Sequence, residues 1–154
     1  MLDYRKAKEL MNAAVKKAWN EACLEVVGAE QHIRYDRLTY TDAPPTDAHW
    51  CRSSSQETDS PQSGFSAAIR GDIRRWTNFG TLFVQLFAPE KPSRFSVEQD
   101  VISRKVRQGL RKSRIRDENG CRITLNDIRI LPLPSEKGMI RLNIIAAFNY
   151  SERN

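Results

Sequence analysis

The sequence lacks any long run of apolar residues, and its 154 residues include only 3 cysteines, 7 glycines and 7 prolines. A membrane-spanning helix needs about 20 consecutive apolar residues, so that class of protein is excluded. The few glycines and prolines exclude a collagen-like fibre, and the 40% share of apolar residues excludes a fully disordered chain. The sequence therefore predicts a single globular domain over residues 1–154.

The three cysteines, Cys23, Cys51 and Cys121, lie far apart and form no C-x-x-C pair. This spacing matches neither a zinc-binding nor a dithiol redox motif. The first residues also lack the apolar segment and cleavage site of a secretory signal. We therefore expect reduced thiols in a cytosolic protein.

One local pattern, Asp47-x-His49-x-Cys51, suggests nucleophilic catalysis, because alternation places the three side chains on one side of an extended segment. A proline-flanked loop gives no assurance of triad geometry, however. His49 and Cys51 are also only two ligands, where tetrahedral zinc takes three or four. We expect no enzymatic activity, no metal and no cofactor.

Positive charge is concentrated in one segment of the chain. The net charge is +6, and seven basic residues and no acid lie between positions 101 and 116. They are Arg104, Lys105, Arg107, Arg111, Lys112, Arg114 and Arg116. On a helix, Arg104, Arg107, Arg111 and Arg114 form a stripe along one face, here called the basic stripe. Such a stripe faces nucleic acid, an acidic protein or solvent, and the sequence leaves the three open.

Two segments have the periodicity of amphipathic helices. Residues 3–23 place apolar side chains at alternating steps of three and four, which predicts a helix with one apolar stripe. Ser96 followed by Gln99 resembles a capping box and predicts a second helix from there to about Ser113. Its expected apolar positions are Val101, Ile102, Val106 and Leu110.

Several segments alternate as strands do, beginning with a short strand predicted at 33–38. In 81–87, Phe83 and Phe87 share one face and Leu82, Val84 and Leu86 the other, so both faces are apolar. This is typical of a strand that is central in its sheet or covered by a partner. After a turn at Gly120, strands are predicted at 121–130, ending before Pro132 and Pro134, and at 139–150.

Residues 39–64 have no clear periodicity. Pro44 and Pro45 exclude a helix, and the stretch 53–64 contains no strongly apolar residue. A connection this long is uncommon in a compact domain. It is either an arm that contacts another chain or a disordered surface loop.

These elements predict an α+β fold: a largely antiparallel sheet with two amphipathic helices packed on one face, plus a long extended arm or loop at 39–64. The second face of the sheet is then uncovered. Because the central strands are apolar on both sides, we expect oligomerisation to cover it.

Beside the strand with two apolar faces, Arg74, Arg75 and Trp76 are of residue types that are enriched at interface hot spots. The candidate interface consists of Trp50, Arg74, Arg75, Trp76, Asn78 and Phe79. The alternative is an ordinary β-hairpin with Asn78 and Gly80 in its turn and Trp76 packed back on its own sheet.

Taken in order along the chain, these features resemble the tail terminator, or tail completion, proteins of tailed bacteriophages. The features are an N-terminal amphipathic helix, Pro44-Pro45 followed by Trp50, Arg75 and Gly80 ahead of the segment 81–89, Gly120 opening a strand, and a final Asn143-Ile-Ile-Ala-Ala-Phe-Asn-Tyr150. Together they span about residues 5–150.

The resemblance implies a structural virion protein without a cofactor. It implies a homo-oligomer, a hexameric ring on the head-proximal end of the tail tube, that ends tube polymerisation and docks the head. The implied partners are the tail tube protein, the head-completion or neck connector protein, and the DNA that passes through the ring, with no membrane. The implied location is the tail and neck of the virion, assembled in the host bacterial cytoplasm. The alternative is a nucleic-acid-binding module that uses the Arg-rich helix 101–116.

Overall fold

A computed structural model describes residues 2–58 and 75–153. Within these ranges the chain forms the helices α1 (Tyr4–Val26) and α2 (Arg94–Lys112) and the strands β1 (His32–Tyr35), β2 (Trp50–Thr58), β3 (Arg75–Pro89), β4 (Ile115–Arg116), β5 (Arg122–Glu136) and β6 (Met139–Arg153). The strands form one sheet in the order β1-β2-β3-β6-β5-β4. All neighbouring pairs are antiparallel except β1 and β2. The fold is therefore α+β with a mixed sheet.

The apolar stripe of α1 explains where the core lies. The helix begins at Asp3, whose carboxylate accepts a hydrogen bond from the Lys6 amide, and the chain leaves it at Gly28, which has a positive φ of 84°. Its buried side chains join those of α2 and alternate residues of β3 and β6 in one cluster. Leu82, Val84 and Leu86 belong to this cluster and are at most 1% exposed. No helix in the described ranges is long and apolar enough to cross a membrane.

Helix α2 begins earlier than its sequence pattern predicted. Ser96 lies inside the first turn rather than at the cap, and its amide donates to the carbonyl of Ser93. The first turn is held by Phe95, which is buried and packs edge-on against His49 at 5.2 Å. Val101, assigned to the apolar face, is 37% exposed. Tertiary packing of Phe95 thus overrides the local capping signal.

The predicted arm at 39–64 is wrong for residues 50–58, which form β2 between β1 and β3. In β2, the core-facing positions include the buried serines Ser53 and Ser55, so the sequence lacks the apolar alternation that usually predicts a strand. Ser53 donates to Asn12 Oδ1 at 3.0 Å, and Tyr4 bonds Ser55 at 3.0 Å. Buried hydroxyls are tolerated when they are hydrogen-bonded. Residues 39–49 form no helix or strand, and 59–64 lie outside the described residues.

Two expected interruptions of the sheet do not occur. Pro132 and Pro134 lie within β5, which continues to Glu136. Along this stretch β5 pairs only with β6, so it is an edge strand, where a missing amide is tolerated. Asn78 and Gly80 are likewise in β3, opposite Tyr150 and Phe148, and not in a hairpin turn.

Candidate functional site

The face of the sheet opposite the helices, here called the open face, has an apolar centre. It is lined by the residues that alternate with the core positions of each strand. Around its centre lie the large apolar residues Trp50, Phe83, Phe87, Leu131 and Ile145. Trp50 stacks on Phe87 with ring centroids 4.1 Å apart, and Leu131 is 40% exposed. Phe83, Phe87 and Ile145 are half-buried, so the centre of this face is apolar and accessible.

Two buried polar atoms on the open face lack partners. The Trp50 indole nitrogen and the Asn143 side-chain oxygen have no hydrogen bond within the part of the chain that the structure describes. Beside Asn143, Gln85 accepts a hydrogen bond from Arg52 at 2.9 Å. A buried polar atom without a partner costs about 1–3 kcal/mol. A donor and an acceptor from another molecule would remove that cost.

At the β1 edge of the open face, the segment 36–49 folds back and contacts Arg34 of β1. The guanidinium of Arg34 donates to the Asp42 carbonyl at 2.8 Å and to His32 at 3.0 Å. It also lies over the Tyr40 ring, 4.5 Å from its centroid, and 5.9 Å from that of Trp50. Such cation–π contacts stabilise a layered packing. The irregular segment 36–49 is thus fixed to its own sheet at Tyr40 and Asp42.

The structure brings together only part of the predicted interface. Trp50 and Phe79 both lie on the open face, but they are at opposite ends of the β2–β3 ladder, eight positions apart. Asn78 lies on the helix side of β3, opposite Tyr150. The backbone of Arg75 and Trp76 lies in β3, and Arg74 is outside the described residues. The centre of the open face is instead formed by Phe83, Phe87 and Ile145, which the predicted interface did not include.

Three residues of the basic stripe, Arg104, Arg107 and Arg111, lie on α2, but the predicted helix over 101–116 is wrong beyond Lys112, so Arg114 follows the helix. Arg104 pairs with Asp100 at 3.2 Å, with both side chains more than half exposed, so this pair contributes little. Arg111 and Arg114 are exposed and Arg107 is half-buried. Among residues 2–58 and 75–153, no carboxylate forms an ion pair with these three arginines. Their charge is available to an external anion.

The three residues of the pattern Asp47-x-His49-x-Cys51 differ in their surroundings. Asp47 is exposed, whereas His49 and Cys51 are 1% and 0% exposed. His49 Nε2 lies 3.4 Å from a carboxylate oxygen of Glu98, on α2. Burial raises the pKa of the Cys51 thiol well above its usual range, which disfavours the thiolate nucleophile. Within the described ranges, no group of three or more His, Cys, Asp or Glu side chains is placed to hold a metal ion.

The comparisons with known proteins bear on the fold. No family model and no curated protein matches the chain. Sixteen chains of solved structures do. One of these, a protein whose name gives no function, is 15% identical, with a TM-score of 0.61 over 92% of this chain and 94% of the other. At this identity the likeness shows a shared α+β fold and nothing about activity.

His49 makes the stability of the protein depend on pH. Burial lowers its pKa, and the nearby Arg94 acts in the same direction, although Glu98 opposes this shift. As the pH falls, the unfolded chain therefore protonates this histidine at a higher pH than the folded protein does. We expect the free energy of unfolding to fall as the pH drops from 7.5 to 5.5, and to fall less in His49→Gln. Urea unfolding across this range measures both, and parallel profiles for the two proteins would contradict the assignment.

Proposed function

We propose that this protein is a tail terminator of a tailed bacteriophage. In this role a hexameric ring binds the last ring of the tail tube at its head-proximal end. One surface of the ring occupies the site where the next tube subunit would add, and the opposite surface docks the neck connector. The mechanism is steric, so it needs neither a cofactor nor a catalytic group. The ring becomes part of the virion tail and neck.

The observation that carries this proposal is the open face, with its half-buried aromatic centre and two polar atoms that have no partner among residues 2–58 and 75–153. Apolar patches of this kind on a sheet mark interaction sites. A ring requires a heterologous interface, in which two different patches of one subunit meet those of its neighbours. The open face supplies one patch. The second patch is extended. It consists of the paired strand ends in which residues 75–79 of β3 lie opposite residues 149–153 of β6.

Of the two apolar faces of β3, only one is free for assembly. Leu82, Val84 and Leu86 are covered by the protein's own helices and contribute nothing to a partner. Phe83, Phe87 and Ile145 alternate with them and are left to a neighbouring subunit. Obligate interfaces bury about 2,000 Å² or more, so we expect the extended strand ends to be buried together with this face.

Removal of the protein from an infecting phage tests the proposal. We expect overlong or headless tails by electron microscopy, with normal length restored by the wild-type protein supplied in trans. The variant Phe83→Glu should fold, because Phe83 is only half-buried, but should fail to restore tail length or to form rings on purified tubes. Val97→Glu is the matched control, since Val97 is 67% exposed on α2. Tails of normal length without the protein would refute the proposal.

A further inference from the structure

A groove lined by four arginines lies where the C-terminal end of α2, β4 and the beginning of β5 meet. Its volume is about 370 Å³. Arg111 comes from the last turn of α2, Arg114 from the short link between α2 and β4, Arg116 from β4, and Arg122 from β5. Among the residues that the structure describes, no acidic side chain lines the groove. Through Arg122 on β5, the groove extends the positive charge of α2 onto the sheet. Arg122 lies outside the charged segment 101–116.

Positively charged side chains lie close together in this groove, and no carboxylate among the described residues forms an ion pair with them. Within the groove, Arg116 and Arg122 are directly opposite in the β4–β5 ladder. Arg111 also lies one helical turn from Arg107, which is on α2 outside the groove lining. Both arrangements are destabilising between like charges. Throughout the described part of the chain, none of the four arginines that line the groove forms an ion pair. The nearby Asp117 carboxylate already accepts the amides of Asn119 and Cys121.

The helix dipole accounts for only part of this cluster. Cations in the last turn of a helix offset its negative end, which gives Arg111 and Lys112 a structural role. Arg116 and Arg122 are on strands and gain nothing from the dipole. Their juxtaposition is an electrostatic cost that an external anion would remove.

We propose that this groove binds the phosphate backbone of double-stranded nucleic acid, independently of the tail function proposed above. The guanidinium fork matches phosphate oxygens in a bidentate way. None of the described residues that line the groove is aromatic, so they offer no platform for stacking the bases of a single strand. Of its apolar members, Leu110, Ile115 and Ile123 are at most 6% exposed and Leu125 is half-buried, so the groove offers a protein partner little apolar surface compared with its four guanidinium groups. Contact with phosphates alone makes the binding independent of sequence.

Fluorescence anisotropy with a labelled 24-base-pair duplex tests this proposal between 50 and 200 mM NaCl. Four phosphate contacts predict that the affinity of the wild-type protein falls about 150-fold across this range. In Arg116→Gln/Arg122→Gln the fall should be only about 12-fold, because two contacts are lost. The control Lys16→Gln/Arg37→Gln loses the same charge from exposed positions outside the groove and should keep the wild-type salt dependence.

A thermal melt separates lost binding from lost folding. Because Arg116→Gln/Arg122→Gln removes a cross-strand repulsion, its melting temperature should equal or exceed that of the wild type. The proposal is overturned if both double variants show the same salt dependence. It is also overturned if the wild-type protein binds polyglutamate as tightly as the duplex, which would assign the groove to an acidic protein.

Discussion

Replacement of Trp19 by alanine is expected to lower the free energy of unfolding by about 3–5 kcal/mol, as is usual for a large buried aromatic residue. Trp19 is 1% exposed in the cluster between the helices and the sheet. Its indole nitrogen also donates to the carbonyl of Gln31 at 3.1 Å, which ties α1 to the segment before β1. The variant loses both the packing and this bond. Urea unfolding followed by circular dichroism measures the change.

Trp19→Phe separates the two contributions. It keeps most of the ring volume but leaves the Gln31 carbonyl without its donor, so the expected loss is smaller, about 1–3 kcal/mol. An alanine variant as stable as the phenylalanine variant would show that Trp19 does not fill the core as described.

Gly80→Ala is expected to destabilise the protein by roughly 3 kcal/mol, because the sheet has no space for a methyl group at this position. Gly80 lies opposite Phe148, whose ring packs over it. An added Cβ would overlap Phe148 Cζ and the backbone oxygen of Gln56. Phe148 is 1% exposed and the Gln56 oxygen belongs to β2, so neither can move without disturbing the sheet. The melting temperature should fall accordingly.

Gly109→Ala is the matched control. Gly109 is on α2, and a Cβ there would lie 3.1 Å from the Cβ of Ala18 on α1. Alanine is favoured over glycine in a helix by about 1 kcal/mol, which offsets this tight contact. We expect a stability within about 1 kcal/mol of wild type. Equal losses in the two glycine variants would contradict the crowding described at Gly80.

The elements that were predicted well are those whose signal is local. Helix α1 follows from a stripe of small and apolar residues, and β6 from a long alternation that ends in Phe148 and Tyr150. The β2 strand was missed because Ser53 and Ser55 are polar by composition and buried only through bonds to Asn12 and Tyr4 on α1. Those bonds join residues more than forty positions apart. No local pattern contains them.

The candidate sites follow the same division. Alternation in 81–87 showed that β3 has two apolar faces, but it did not show which one the helices cover. The sheet register answered this by placing Leu82 against the core and Phe83 on the open face. The charged segment 101–116 was evident from its composition, whereas the pairing of Arg116 with Arg122 depends on a turn and a ladder.

The amino-acid order by itself determined the α+β class, the position of both helices to within one turn, and the concentration of positive charge near residue 110. Periodicity and charge are properties of neighbouring residues, so they can be obtained without a fold. Only the tertiary structure decided which strand face remains open, and that four arginines line a single groove. Both depend on contacts between distant segments, which the burial of the whole core selects.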